Sequence, residues 1–347
     1  MSKNDKVVVT GLGHFHPKNL IDNSFFNQLD IGSDAQWVTE RTGIKSRCSV
    51  LPPRDLLSLR RHEVTLKQLR SEGKVMSIAQ MSKKAWETLE KRTPNGLRDL
   101  DALSCGTSVP DFDIPANACT VAAEIGADCF SFDINSACSS FVVNLHIARS
   151  MLLAGSAKKM AIFTPERYSL RLDYTDKASC VLFGDGCGAA TIELGASSGF
   201  ELVDTIVTSC PEKYELVQIP VDGYFFQNGK AVQKFAITRT ISITHEILER
   251  NNLGITDINY FIGHQANLRM LAAAAKKLGL SDDQHLFNVD LYGNQGGAGA
   301  PSVLSMNWDR FTSGDLVVVS VVGSGLTWAS ALLRKIGSSA ESVGSQT

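Results

Sequence analysis

The chain has 347 residues, 44% of them hydrophobic and 20% charged, with a formal net charge of −2. This is the composition of a globular protein long enough for one large domain or two smaller ones. It lacks the basic field that nucleic-acid binding needs, and no apolar run reaches the length of a membrane helix. Eight cysteines form no CxxC pair, and MSKNDK is followed only by the short apolar run VVVTGLG. The expectation is therefore a cytoplasmic protein with reduced thiols, no secretory signal and no metal site.

In chain order, KVVVTGLG (6–13) predicts a buried strand ending in a glycine turn. GLGHFH (11–16) opens like a dinucleotide fingerprint, but His16 stands where the third glycine belongs, which weakens a nicotinamide or flavin reading. Residues 21–40 read as partly helical. Trp37 and Arg41 lie four apart in QWVTERTGIKSR (36–47), where Arg41 is either a solvated charge or a phosphate contact. The charged stretch 51–75 reads as a solvated loop or surface helix, and 77–91 as an amphipathic helix. A strand at 100–108, a polar loop with Pro110, Asp111 and Asp113, and a small-residue helix at 116–126 follow.

SFDINSACSSFVVNLHIARSMLLAG (131–155) carries the first chemistry. Phe132, Ile134 and Ala137 predict the end of a buried strand, and Phe141, Leu145, Met151 and Leu152 recur with helical spacing. Cys138 sits at the joint. A helix N-terminus carries free N–H groups and partial positive charge, which favours a nucleophilic thiolate; a free cysteine is otherwise a small buried hydrophobe. Beyond it, 158–166 predicts a strand. ASCVLFGDGCGAATIEL (178–194) predicts a glycine-turned hairpin with Asp185 as a turn residue. A long helix is expected over 231–252. Strand, GHQAN turn and helix follow over 258–280, then strand, glycine turn and helix over 285–308. Two buried strands joined at GSG are expected over 315–335.

The two halves echo each other at an offset of about 156 residues, read as a repeat period. Strand–helix alternation in both copies implies βαβ units and two pseudo-equivalent α/β halves packed together. Cys138 and Asn294 then occupy equivalent turns, and the Cys138, His264 and Asn294 turns fall on one side of the protein. Such a trio suits thioester chemistry. Cys138 would hold an acyl group covalently, and backbone N–H groups of Cys138 and Ser324 would face the oxyanion. A neutral His264 and the Asn294 amide would donate to a second thioester carbonyl, so that a malonyl group loses carbon dioxide without a strong base. Each residue also has a plain structural reading, a hydrogen-bonded loop histidine or a turn-forming asparagine.

With these motifs assembled, the chain resembles β-ketoacyl-[acyl carrier protein] synthase III, a branch of the thiolase-fold condensing enzymes. The resemblance spans nearly the whole sequence. It is carried by ERTGIKSR (40–47), INSACSSF (134–141), FGDGCGAA (183–190), GHQANLRM (263–270), YGNQGGAGAP (292–301) and GSGLTWASALLR (323–334). It implies a thiolase-like α/β fold, two pseudo-repeated halves in a layered αβαβα core: an N-terminal half over 1–177, a C-terminal half over 178–335 and a disordered tail over 336–347. It implies Cys138, His264 and Asn294 as the catalytic triad, with Trp37 and Arg41 at the coenzyme A end. Arg269, extended by Lys276 and Lys277, falls on a surface for acyl carrier protein. The implied partners are a second copy as homodimer, acyl-coenzyme A, acyl carrier protein and a malonyl thioester, with no cofactor, nucleic acid or membrane.

Some positions depart from the family. Gln-Gly-Gly-Ala-Gly follows Asn294 where small Ser and Ala residues are usual. Ile114 stands where an aromatic residue often limits the acyl pocket, which suggests a longer or branched chain. Ser324 replaces a common glycine, and 51–75 matches poorly. The alternatives are a specialised-pathway ketosynthase taking a medium-chain acyl or β-keto thioester, a non-decarboxylating acyltransferase, and a non-catalytic carrier-protein-binding paralogue. A hydroxymethylglutaryl-type reaction is disfavoured because it wants a glutamate at the site, and GTSVPDFD (106–113) offers only aspartates.

Overall fold

The structure, a computed structural model, describes residues 6–93, 96 and 98–337. From residue 338 onward the expected disordered tail lies outside the described residues, as do the first five residues. The strands are β1 (Val7–Phe15), β2 (Asn19–Asp22), β3 (Ser46–Ser49), β4 (Ala102–Cys105), β5 (Phe130–Asp133), β6 (Lys159–Glu166), β7 (Gly186–Leu194), β8 (Gly199–Ser209), β9 (Val217–Gln218), β10 (Phe226–Gln227), β11 (Tyr260–Gly263), β12 (Leu316–Gly323) and β13 (Thr327–Ile336). The helices are α1 (Ala35–Thr42), α2 (Pro53–Arg60), α3 (Leu66–Ser71), α4 (Ile78–Glu90), α5 (Asn117–Ile125), α6 (Ser140–Leu153), α7 (Gly229–Arg250), α8 (Leu268–Leu278), α9 (Val289–Tyr292) and α10 (Gly299–Met306).

Nine strands join in the order β11-β12-β13-β8-β1-β7-β6-β4-β5. From the outside inward, β5, β4 and β6 run parallel, then β7 and β1 follow antiparallel. The other side repeats this plan: β11 and β12 are parallel, and β13 and β8 follow antiparallel. The place of β5 is taken by a single parallel bridge from Phe261 to His285, so the strand expected near 285 is reduced to one contact. The halves meet where β1 pairs with β8 at Val8–Glu201 and Val9–Phe200.

The seam therefore falls between β7 and β8, not at 177/178, because β7 pairs with β1 and β6 of the first half. The hairpin expected at 178–194 has only one strand, β7; its first arm is a series of turns. Strand β5 is an edge strand with Phe130 exposed, rather than fully buried.

Five layers follow from where the apolar faces go. Phe141, Val142, Leu145, Ala148 and Leu152 of α6 and Ala300, Val303 and Leu304 of α10 share one cluster with strand residues of both halves, including Met160 and Val319. A helix apolar on most of its surface has to be buried on most of its surface, and α6 with α10 fills the central layer. The amphipathic α4 lays Met81, Ala85 and Leu89 with α5 on the outer face of the first half. Ile243 and Ile247 of α7 and Leu278 of α8 cover the second half. Both central helices begin near the sheet's C-terminal strand ends, where α/β folds place their sites.

Candidate active site

The cysteine turn is held tightly. Ala137 has φ of 47°, a left-handed backbone that a residue with a Cβ adopts at a cost. Local hydrogen bonds sustain it: Ala137 N–H donates to Asn135 Oδ1 at 2.9 Å, Ser136 N–H to Ser140 Oγ at 2.9 Å, and Ser139 Oγ to the Ser136 carbonyl at 2.7 Å. A 3-10 turn over Ala137–Ser139 then leads into α6. The end of β12 presses on this turn. A Cβ at Gly323 would lie 2.9 Å from the Ser136 carbonyl oxygen and from Ser139 N, so only glycine allows the approach. Burial, with a further push from Glu166, raises the Cys138 thiol to about 12. Desolvation thus works against the pull of the helix N-terminus toward thiolate.

His264 follows β11 and is anchored by its neighbours. The Gln265 side chain donates to the Gly263 carbonyl at 2.8 Å and accepts from Asn288 N–H at 3.0 Å. Burial lowers His264 to about 4, so the ring is neutral near pH 7 and donates from one nitrogen. Asn294 is fixed by exchange with the segment before β7: its N–H donates to Leu182 O at 2.8 Å and its carbonyl accepts from Gly184 N–H at 3.0 Å. Its Oδ1 accepts from Gly296 N–H at 3.0 Å, which leaves the amide NH2 as the donor end. Cys138, His264 and Asn294 all line one cavity of about 510 Å³, as the equivalent-turn argument requires.

The same cavity reaches Trp37 and Arg41 at its outer end, together with Lys177 and Lys230, two cations that sequence reasoning missed. Lys177 Nζ stands 5.4 Å from the centre of the Trp37 ring. Ser324 also lines the cavity, and its hydroxyl donates to the Val217 carbonyl. Helices α1 and α8 meet beside this opening, where Arg269 Nε donates to the Glu40 carbonyl at 3.1 Å. Arg269, Lys276 and Lys277 are exposed on α8. Ile114 is 86% exposed on the 107–115 loop, near exposed Phe112, and is not among the residues that line this chain's own cavity.

Three further residues form a hydrogen-bonded chain behind the cysteine, of which Tyr168 alone approaches the sulfur. Tyr168, fully buried, brings its hydroxyl to 3.8 Å from Cys138 Sγ and donates to Ser108 Oγ at 2.9 Å. Ser108 Oγ donates to Glu166 Oε1 at 3.2 Å, and the Ser108 and Gly297 N–H groups donate to the same carboxylate at 2.9 and 3.3 Å. Burial pushes Glu166 up to about 8. A glutamate thus reaches the site from the end of β6 rather than from the 106–113 loop. The one available signal was its place: a charged residue ending an otherwise apolar strand. Asp185, read as a turn residue, is also an anchor: it is fully buried and accepts from Val50 N–H at 2.7 Å and Ser169 N–H at 2.9 Å. Among the described residues no three His, Cys, Asp or Glu side chains are grouped to hold a metal ion, and no helix is long and apolar enough to cross a membrane.

Residues 132–210 match the family described as 3-oxoacyl-[acyl-carrier-protein] synthase III, and residues 248–335 match its C-terminal part. The chain is 31% identical to a β-ketoacyl-[acyl-carrier-protein] synthase III of Aliarcobacter butzleri, covering 93% of this chain and 96% of that one. It is 32% identical to the Campylobacter fetus protein of the same name, over 95% and 98% of the two chains. The solved synthase III of Thermus thermophilus superposes with a TM-score of 0.84 at 30% identity, covering 95% of this chain and all of that one.

Proposed function

This chain belongs to the 3-oxoacyl-[acyl-carrier-protein] synthase III family of condensing enzymes, and from that premise we propose how its own residues divide the reaction. Cys138 attacks an acyl-coenzyme A carbonyl, and the acyl group stays on sulfur while the coenzyme A thiolate leaves. A malonyl thioester then enters the same cavity. His264 and the Asn294 amide donate to its thioester carbonyl, carbon dioxide leaves, and the enolate carbon attacks the acyl-cysteine. The observation that carries this reading is the single cavity lined by all three side chains, with a histidine held neutral. A protonated ring would quench the carbanion; a neutral one stabilises the enolate by donation alone. The chemistry draws on the pantetheine thioesters and needs no other cofactor.

Three finer assignments belong to the same proposal. Trp37 and Arg41, with Lys177 and Lys230, take the nucleotide end of coenzyme A. The exposed Arg269, Lys276 and Lys277 receive acidic acyl carrier protein. A second copy of the chain covers edge strand β5, where Phe130 is 64% exposed and its ring stacks on Phe132 at 5.0 Å; an open, apolar strand edge is a pairing surface. A cytoplasmic location fits these substrates. The primer is short: the Tyr168 ring stacks on Phe183 at 4.5 Å with Phe225 packed against both, filling the wall behind the thiol.

The test is intact mass of the purified protein after exposure to acyl-coenzyme A thioesters from acetyl to dodecanoyl, beside Cys138→Ala. The expected result is a mass gain for short acyl groups that the variant lacks, followed by carbon dioxide release when malonyl-acyl carrier protein is added. Equal labelling of the two proteins sinks the nucleophile. Best loading by octanoyl or longer sinks the short primer and supports the specialised-pathway alternative.

A further inference from the structure

A glycine at position 324 would supply the same backbone N–H as Ser324, so the serine hydroxyl has a use of its own. We propose that this hydroxyl ties the oxyanion turn to the wall of the acyl site. An acyl group too large for the wall then displaces the Ser324 N–H and is rejected in the rate of acylation rather than in binding. The inference rests on the acyl-cysteine reading above, with the Cys138 and Ser324 N–H groups as donors to the oxyanion. It makes the Ser324 side chain a positioning residue.

The connection is continuous. The turn that carries Ser324 lies against the cysteine turn, where only a glycine at 323 fits beside Ser136 and Ser139. The Ser324 hydroxyl donates to the carbonyl of Val217, the first residue of β9. Strand β9 pairs antiparallel with β10, Val217 opposite Gln227 and Gln218 opposite Phe226. Asn228 N–H donates to the Leu216 carbonyl at 2.9 Å and closes the base of this hairpin. Phe225, immediately before β10, is buried, and its ring packs on Phe183 at 4.5 Å. Both rings and Val217 line the cavity that holds Cys138. Hydroxyl, hairpin and aromatic wall therefore form one chain of contacts from the oxyanion donor to the acyl group.

The far end of the hairpin is held by the first half. The Arg171 guanidinium donates to the carbonyls of Pro220, Val221 and Gly223, the last at 3.0 Å, and the Arg171 carbonyl accepts from Phe225 N–H at 2.7 Å. An acyl group that fits leaves both ends in place. One that presses on Phe225 has to break the Arg171 contacts or shift Val217, and with Val217 the Ser324 turn. An oxyanion donor acts in full only at hydrogen-bond distance from where the charge develops, and a misplacement of about 1 Å can cost on the order of 10²-fold in rate. Binding is spared, because Trp37 and Arg41 hold the coenzyme A end of the same cavity away from the hairpin's hold on the turn.

Single-turnover acylation by acetyl- and hexanoyl-coenzyme A, followed by intact mass over a range of concentrations, separates saturating rate from half-saturating concentration. In the parent, hexanoyl is expected to load more slowly than acetyl by on the order of 10²-fold at saturation, with half-saturating concentrations within a few-fold of each other. Ser324→Ala keeps the N–H and releases the hairpin. It is expected to narrow that gap about tenfold, near the value of one hydrogen bond, while acetyl itself slows a few-fold. Phe225→Ala removes the ring that meets the acyl group and is expected to narrow the gap likewise. Ser324→Ala in the Phe225→Ala background is expected to narrow it no further, because both act through one hairpin. A gap unchanged within twofold in Ser324→Ala overturns the proposal, as do effects that multiply in the double variant. A parent that shows no gap, or shows it in half-saturating concentration alone, overturns it too. A parent that accepts neither acyl group removes the acyl-cysteine reading itself, an outcome distinct from equal discrimination in parent and Ser324→Ala.

Discussion

At the residue scale the two donors and the buried carboxyl make separable predictions. His264→Ala and Asn294→Ala remove a donor to the malonyl carbonyl but not the nucleophile. Each is expected to lower carbon dioxide release by 10²–10³-fold, roughly the value of one oxyanion donor, while acyl loading on Cys138 persists. A parallel collapse of loading, read by intact mass, would mean that the turns themselves had shifted. Glu166 carries a pH signature. Its folded-state value, about 8, stands above the ordinary 4.5. The stability it contributes is therefore present in full below 4.5 and lost as pH rises through 8. Between pH 6.5 and 8 the parent is expected to lose about 1–2 kcal/mol relative to Glu166→Gln in urea unfolding. His14, His16 and His264, lowered in the fold, add stability as their unfolded forms lose protons near 6.5, but equally in both proteins, so the difference between the two reads the carboxyl. Equal slopes in the two proteins would show that the carboxyl is already ionised in the fold.

At the element scale, α6 combines packing and chemistry. Leu145 is fully buried in the cluster that α6 shares with both halves. Leu145→Ala is expected to cost about 2–5 kcal/mol, read from the urea midpoint at constant slope; a cost under about 1 kcal/mol would mean that the centre collapses to fill the space. How far such elements are legible in sequence differs along the chain. Helices α4, α5 and α8 stand close to where periodicity puts them because each has one apolar face with one destination; strands β12 and β13 do so because both their faces are buried, Val317 and Val319 in the central cluster and Val318 and Val322 under α7. The expected strand at 285 and the hairpin at 178 failed for the opposite reason. Their apolar residues are buried by turns packed on neighbouring elements, and periodicity does not distinguish a buried turn from a short strand. The cysteine and asparagine turns were legible because the repeat makes them equivalent, and the histidine turn because it follows a strand of the same repeated unit. Tyr168 and Glu166 were not, since nothing in RYSLRLD marks a tyrosine that turns back onto a thiol. The glycine run after Asn294 shows the same relation from the other side. Gly296, at φ of 53°, would bring a Cβ to 2.5 Å from the Tyr168 ring and 2.9 Å from Glu166 Oε1. The departure from small Ser and Ala residues there is the space those two side chains occupy.

At the scale of the whole molecule, the halves repeat one topology yet share one interior. Each half has an outer cluster of its own, but α6 and α10 pack with strands from both sides of the seam into one central cluster that joins them. One cooperative thermal transition is expected, coincident by fluorescence and circular dichroism; two resolved transitions would show that the halves fold separately. The direct strand pairing across the seam is short, β1 to β8 at Val8–Glu201 and Val9–Phe200, and the seam separates Cys138 from His264 and Asn294. Loading needs Cys138 and its oxyanion donors, whereas condensation needs His264 and Asn294 from the far side in addition, held in line with the acyl group. A small slip of one half against the other under mild denaturant would therefore stall the enzyme with its cargo on board, a loaded molecule that no longer extends, before any loss of secondary structure is seen.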